Sequence, residues 1–188
     1  MQLGINCYPL IDSSGISYQG ISEVKIMELP IGPEKALRPV IVVKASAYLS
    51  DAGDGTALGT FVFGLTDMGF SQMLADGVDQ SGWQAFISNG PLTGFFVSAH
   101  QINLGEREIY TDPLHYQINV YSPIDAQYIR VLSVITTKSY PNKKIEYFNP
   151  DNIKKLLLPQ VISDLDAIYS DSERKNLIKP RYGFIMSK

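Results

Sequence analysis

The sequence predicts a mainly β protein, an antiparallel β-sandwich or barrel of jelly-roll-like kind, with an extended N-terminal arm and a short C-terminal helical segment. Three observations carry this. Aromatic and β-branched runs of strand length recur from Arg38 to Thr137, with turn residues about every ten positions, the spacing of all-β domains. The clearest pair, Trp83 to Ile87 and Leu92 to Val97, flanks Ser88-Asn89-Gly90-Pro91, and Asn-Gly tolerates the positive φ that hairpin turns need. Finally, composition changes at Ser139-Tyr140-Pro141-Asn142-Lys143-Lys144, beyond which apolar residues recur at helical spacing. The expected division is residues 1–39 as an arm with one strand, 40–138 as the antiparallel β domain, and 139–188 as linker and helical tail.

Within the arm, Pro9, Gly15, Gly20, Pro30, Gly32, Pro33 and Pro39 leave room for one regular element, a strand over Ile21 to Leu29. Pro39 launches the next strand, Val40 to Leu49, whose first half is apolar on both faces and whose second half alternates, as in a sheet packed against a second layer. Turn residues Ser50 to Thr56 lead to a returning strand, Thr60 to Leu65. Between Thr66 and Gly82, Phe70, Met73 and Leu74 stand at i, i+3 and i+4, which predicts a helix over Phe70 to Asp76 with Gly77 as its C-terminal cap. The Trp83 to Val97 hairpin follows, expected as the central scaffold of the sheet. His115 to Tyr121 and Tyr128 to Thr137 form a second pair, in which Tyr116, Ile118 and Val120 alternate with Gln117 and Asn119. In the tail, Asn149, Pro150 and Asp151 have the chemistry of a helix start, Pro159 is expected to stop or kink that helix, and Gln160 to Tyr169 is expected as a second one. Ser170 and Glu173 have capping-box spacing ahead of a locally basic end.

The 188 residues are 45% hydrophobic and 19% charged with a net charge of −3. That is ample apolar material for a core and gives no basic stripe to displace phosphate counterions, so nucleic acid is not an expected partner. Cys7 is the only cysteine, so an intrachain disulfide and a cysteine-based zinc cluster are both excluded. No run approaches the ~18 apolar residues of a membrane span, and the first residues lack the pattern of a secretory signal, so synthesis in the cytoplasm is expected.

Candidate chemistry is sparse. His100 and His115 are the only histidines, and neither has zinc-motif spacing. A Ser-His-Asp constellation could assemble from distant residues, but no Gly-x-Ser-x-Gly elbow is present. Asp51 and Asp54 alternate with glycines as in a calcium loop, without the EF-hand pattern, and read as a turn. Glu23, Glu28, Glu106, Glu108, Asp112 and Asp125 could supply a glycosidase pair only if folding set two of them at the right separation. No phosphate-binding glycine motif occurs, and no cofactor or metal is expected.

The aromatics are more informative. Eleven tyrosines, eight phenylalanines and one tryptophan stand among many Ser, Thr, Asn and Gly residues, a mixture suited to broad, weakly charged contact surfaces. Phe61, Phe63, Phe86 and Phe96 fall where a β core is expected. Trp83, Tyr110, Tyr128, Tyr147, Tyr169, Tyr182 and Phe184 are the candidate contact residues. In composition and punctuation the chain looks like a bacteriophage virion structural protein, a capsid, connector or tail component. The function expected is therefore a non-enzymatic assembly protein that grips other subunits, including copies of itself, and is incorporated into a virion or similar particle. The alternatives are a carbohydrate-binding module presenting Trp83 and tyrosines to sugar rings, and a hydrolase using His100 or His115.

Overall fold

The computed structural model describes residues 9–31, 36–49, 55–66, 69–79, 82–90, 92–102, 115–124, 127–136, 154–155 and 157–163. Among these the chain is mainly β, with three antiparallel sheets, none closed into a barrel, and one short helix. Strands β1 (Leu10–Ile11) and β2 (Ser17–Tyr18) pair as a small hairpin. Sheet one takes β3 (Gly20–Ile31), β4 (Ala36–Leu49), β5 (Gly55–Thr66) and β6 (Gly69–Asp79) in sequential order. Sheet two takes β7 (Trp83–Phe86), β8 (Phe96–Ile102), β9 (His115–Ile124) and β10 (Gln127–Ile135), again each beside its chain neighbour. Helix α1 covers 154–155 and 157–163.

The period of two along each strand sorts side chains into layers. On β4, Val40 and Val42 point one way and join Leu29, Val62, Met73 and Leu74 of sheet one with Phe96 and Tyr128 of sheet two in a core shared by both sheets. Ile41, Val43, Ala45 and Ala47 point the other way; Val43, Ala45 and Ala47 pack there with Ala57 and Phe61 of β5 and with Tyr18, Leu10 and Ile16 of the hairpin region, while Ile41 at the margin is only partly buried. On the far side of sheet two, Tyr116, Ile118 and Val120 of β9, with Val97 and Ala99 of β8, pack beneath Leu157 and Val161 of α1.

Two glycines seat the hairpin. Gly59 and Gly77 lie opposite each other on β5 and β6, and a Cβ on Gly77 would collide with Tyr18 Oη and Asp12 Oδ2. At Gly59 the same construction meets the Tyr18 ring at 2.7 Å. The missing side chains leave a shallow seat into which Tyr18 descends, its ring edge-on to Phe61 at 5.2 Å.

The structure corrects several sequence expectations. Phe70 to Asp76 is strand, not helix, and Gly77 caps nothing. Here a register shift sets Val62 opposite Leu74 and Phe63 opposite Gln72, leaving Met73 as an extra residue, and such a bulge turns two successive side chains to one face. Met73 and Leu74 both enter the shared core, and with Phe70 they imitate helical spacing. The Trp83 hairpin is present but lies at the edge of sheet two, because β7 pairs with β8 alone. Its second arm starts at Phe96. Before it, Ile87 N donates to Phe95 O at 2.8 Å and Gly94 N donates to Ile87 O at 2.8 Å, with Gly90 at φ 80° and Gly94 at φ 91°. A jelly-roll-like winding would exchange strands between the sheets, whereas here each sheet uses consecutive strands. Pro159 does not stop α1, which continues to residue 163: Leu157 and Val161, four apart, bury one stripe against sheet two while Pro159 is exposed. The expected linker over 139–144, the helix start at Asn149 to Asp151, residues 164–169 and the Ser170 capping box lie outside the described residues.

Candidate functional site

On the β6 side, the apolar layer between the sheets gives way to polar side chains. Along β6, Asp76 follows Leu74 on the inner face. β8 offers Ser98 and His100 after Phe96, and β9 offers Tyr121, Asn119 and Gln117. Asp76, His100, Gln117, Asn119 and Tyr121 border a cleft of about 450 Å³ whose walls include Asp12, Tyr18, Asp79 and Arg130.

Asp76, only 4% exposed, is the hub. Gln84 Nε2 donates to its Oδ2 at 2.7 Å and to its backbone carbonyl at 2.9 Å. Tyr121 Oη and Ser98 Oγ donate to Oδ1 at 3.0 and 3.3 Å. Thr60 Oγ1 in turn donates to Gln84 Oε1 at 2.8 Å, so five strands of both sheets are tied together around one carboxylate. Burial pushes the Asp76 carboxyl above the ordinary carboxylate range, outweighing those bonds and the nearby His100. Asp12 shows the opposite balance. Burial pulls it up, but donors from Ser14 Oγ, Tyr18 Oη, Ile16 N and Ser14 N together hold it below its usual value. The Tyr18, Tyr121 and Tyr128 hydroxyls are all pushed up by burial, Tyr18 and Tyr121 also by the aspartates they bind.

Ser98, His100 and Asp76 stand together but are not wired as a nucleophilic triad. In such a triad the carboxylate orients the imidazole, which takes the serine proton. Here Asp76 accepts from the serine itself, His100 Nε2 lies 3.4 Å from Ser98 Oγ, and Ser98 is fully buried, with no room for an attacked carbonyl. His115 is elsewhere: its Nδ1 lies 2.7 Å from Thr136 O, a contact that places the proton on Nδ1. Among the described residues no three His, Cys, Asp or Glu side chains stand close enough to share a metal, and no helix is long and apolar enough to cross a membrane. Asp51 and Asp54 lie outside the described residues.

Of the contact residues expected from sequence, Trp83 is 3% exposed and packed in the core beneath α1, so its ring offers no face to a sugar. Tyr128 is also buried. Its Oη donates to Gly94 O at 2.9 Å and its ring packs edge-on to Phe86 and Phe96, which pins the loop before β8 from inside. Tyr110, Tyr147, Tyr169, Tyr182 and Phe184 lie outside the described residues.

A second feature was missed from sequence: among the described residues, the outer face of sheet one is covered only at the end beneath Tyr18. Past that end, register sets Ile26 beside Ile41 and Ile41 beside Phe63, and sets Leu65 beside Phe70. Val24, Ile26, Leu65 and Phe70 are 62%, 73%, 69% and 61% exposed, and the Phe63 and Phe70 rings stack at 6.1 Å. Single exposed apolar side chains are ordinary, whereas this row crosses neighbouring strands. The row ends at β3, which among the described residues pairs only with β4 and so leaves one edge open. The signal available in the sequence was Ile21, Val24 and Ile26 within a strand of the supposed arm.

No family model, curated protein or solved structure matches the chain.

Proposed function

We propose that the chain is a non-enzymatic assembly subunit: a β-sandwich framework that joins other protein subunits, copies of itself among them, through the open half of sheet one. The observation that supports it most is the apolar row formed by Val24, Ile26, Phe63, Leu65 and Phe70, which reaches a strand edge left open among the described residues. Soluble proteins normally blunt such an edge or cover it. That the particle is a bacteriophage virion rests on composition and turn-rich punctuation alone. Mass photometry or sedimentation of the full chain over a range of concentrations tests the reading. The wild type is expected to associate, and Leu65→Glu with Phe70→Glu to shift it to monomers without altering the circular dichroism spectrum. A wild type that stays monomeric at every concentration overturns the proposal.

A second reading places recognition of a hydroxyl-rich ligand, such as a sugar, in the inter-sheet cleft. It is favoured by the convergence there of Gln117, Asn119, His100 and Arg130 with three aspartates and two tyrosines. Glycan-array binding lost in Gln117→Ala but retained in Leu65→Glu would move the function to the cleft. An array without hits removes this reading.

A further inference from the structure

We propose that β3 pairs with β3 of a second copy, antiparallel about a two-fold axis at Val24, joining the two copies of sheet one into one eight-stranded sheet. This rests on the assembly reading and names the partner and the register.

The edge has the length and chemistry for it. β3 runs for 12 residues, roughly 40 Å of backbone donors and acceptors on its open side. Its nine residues from Gly20 to Glu28 contain no proline, and Pro30 falls only at the end. A pairing between identical strands is isologous, so a single exposed edge suffices for a closed dimer, in which the β3 edge of each copy is used up.

Charge selects the register. In a two-fold antiparallel pair one residue faces its own copy, and residues equally distant on either side of it face each other. The charged residues of β3 are Glu23, Lys25 and Glu28. An axis at Glu23, at Lys25 or at Glu28 sets like charges together. Lys25 and Glu28 are three apart, so no axis on a residue brings them face to face. An axis at Val24 alone sets Glu23 opposite Lys25 of the partner subunit, and Lys25 opposite Glu23 of the partner subunit. Within the chain Glu23 Oε2 already lies 3.0 Å from Lys44 Nζ. The partner's lysine would therefore extend an existing ion pair into a row crossing the junction.

Packing on the opposite face agrees. Val24 is opposite Val43, Val43 opposite Phe61, and Phe61 opposite Ala75, an apolar row that runs through all four strands and stops at the open edge. With the axis at Val24, this row meets its own copy. Val24, more than half exposed in the single chain, is then covered by the same residue of the partner.

Cysteine cross-linking of the full chain tests this in a Cys7→Ser background. Val24→Cys is expected to give a covalent dimer on oxidation or with a short thiol-to-thiol reagent. Ile26→Cys, set two residues from the axis and so about 14 Å from its copy along the strands, is expected to give none. Glu23→Lys should weaken dimerisation by roughly threefold to thirtyfold, since it replaces two attractive cross-strand pairs with repulsive ones. Adding Lys25→Glu to it should restore association. A dimer that cross-links no better at position 24 than at 26, or that ignores Glu23→Lys while losing association in Leu65→Glu with Phe70→Glu, overturns this inference and leaves the assembly reading standing. A wild type monomeric throughout overturns both.

Discussion

Sheets one and two are built alike, each from four consecutive antiparallel strands, yet they end in opposite conditions. Sheet two is covered on both faces, by sheet one on the inside and by α1 outside, where Leu157 and Val161 close over Tyr116, Ile118 and Val120. Sheet one is covered inside, but outside, among the described residues, only as far as Tyr18 reaches over Gly59 and Gly77. Past that point residues as apolar as those of sheet two face outward. Strand order thus does not decide where a surface is available. That is decided by the covering elements, here a helix whose stripe fits sheet two and a hairpin too short to span sheet one.

Matched phenylalanine substitutions probe that contrast most strongly. Phe96, fully buried between Phe86, Tyr121 and Tyr128, belongs to the layer both sheets share. Phe96→Ala should cost about 3–5 kcal/mol in denaturant unfolding, the lost transfer energy plus an unfilled cavity. Phe70→Ala, at an exposed site, should change the stability of the monomer by no more than about 0.5 kcal/mol while weakening association. Similar unfolding costs at the two sites would mean that the outer face of sheet one is already covered within the chain, and the contrast between the sheets would fail.

Gly77→Ala acts on the boundary between the covered and open halves of sheet one. Its methyl group would occupy the place of Tyr18 Oη and Asp12 Oδ2, so the hairpin must lift or the strand must shift. Overpacking of this kind typically costs about 1–3 kcal/mol. The loss should be local. In hydrogen-exchange measurements, amides between Leu10 and Tyr18 should exchange faster while those of β8 and β9 stay protected. Uniform loss of protection in both sheets would show that the hairpin is part of the cooperative core and not a cover laid on it.

Which parts could be read from sequence follows the same division. β3, β4, β5, β9 and β10 were legible because period-two patterning and turn residues are local signals, and Phe61 and Phe96 do lie in the core. β6 was not, because the bulge at Met73 breaks the period. The hairpin was read as part of an arm since its strands are two residues each, and its seat depends on two glycines eighteen residues apart that only register brings together. The fate of Trp83 turned on whether α1 would cover sheet two, which no residue near Trp83 states. The network on Asp76 at the wall of the cleft was illegible for a related reason: Asp76, Gln84, Ser98 and Tyr121 come from four strands, and each alone reads as a solvated polar residue of a sheet.

The smallest effect separates two aspartates of that cleft. Asp76 titrates above its unfolded-state value, so between that ordinary value, 3.8, and its raised folded value the native state holds the extra proton. Its contribution to stability is therefore present in acid and is lost as pH rises through the folded pKa. Asp12 is held below the same value, and its contribution is present above 3.8 and lost as pH falls through the lower folded pKa. Asp79, His100 and Arg130 line the same cleft and are unchanged in both comparisons. Unfolding of Asp76→Asn should lose the decline toward neutral pH, whereas Asp12→Asn should instead flatten the acid limb. If Asp76→Asn follows the wild-type curve in parallel, the Asp76 carboxylate is solvated. The polar end of the layer between the sheets would then be open to water, and the inner face of sheet one would be no better closed there than its outer face.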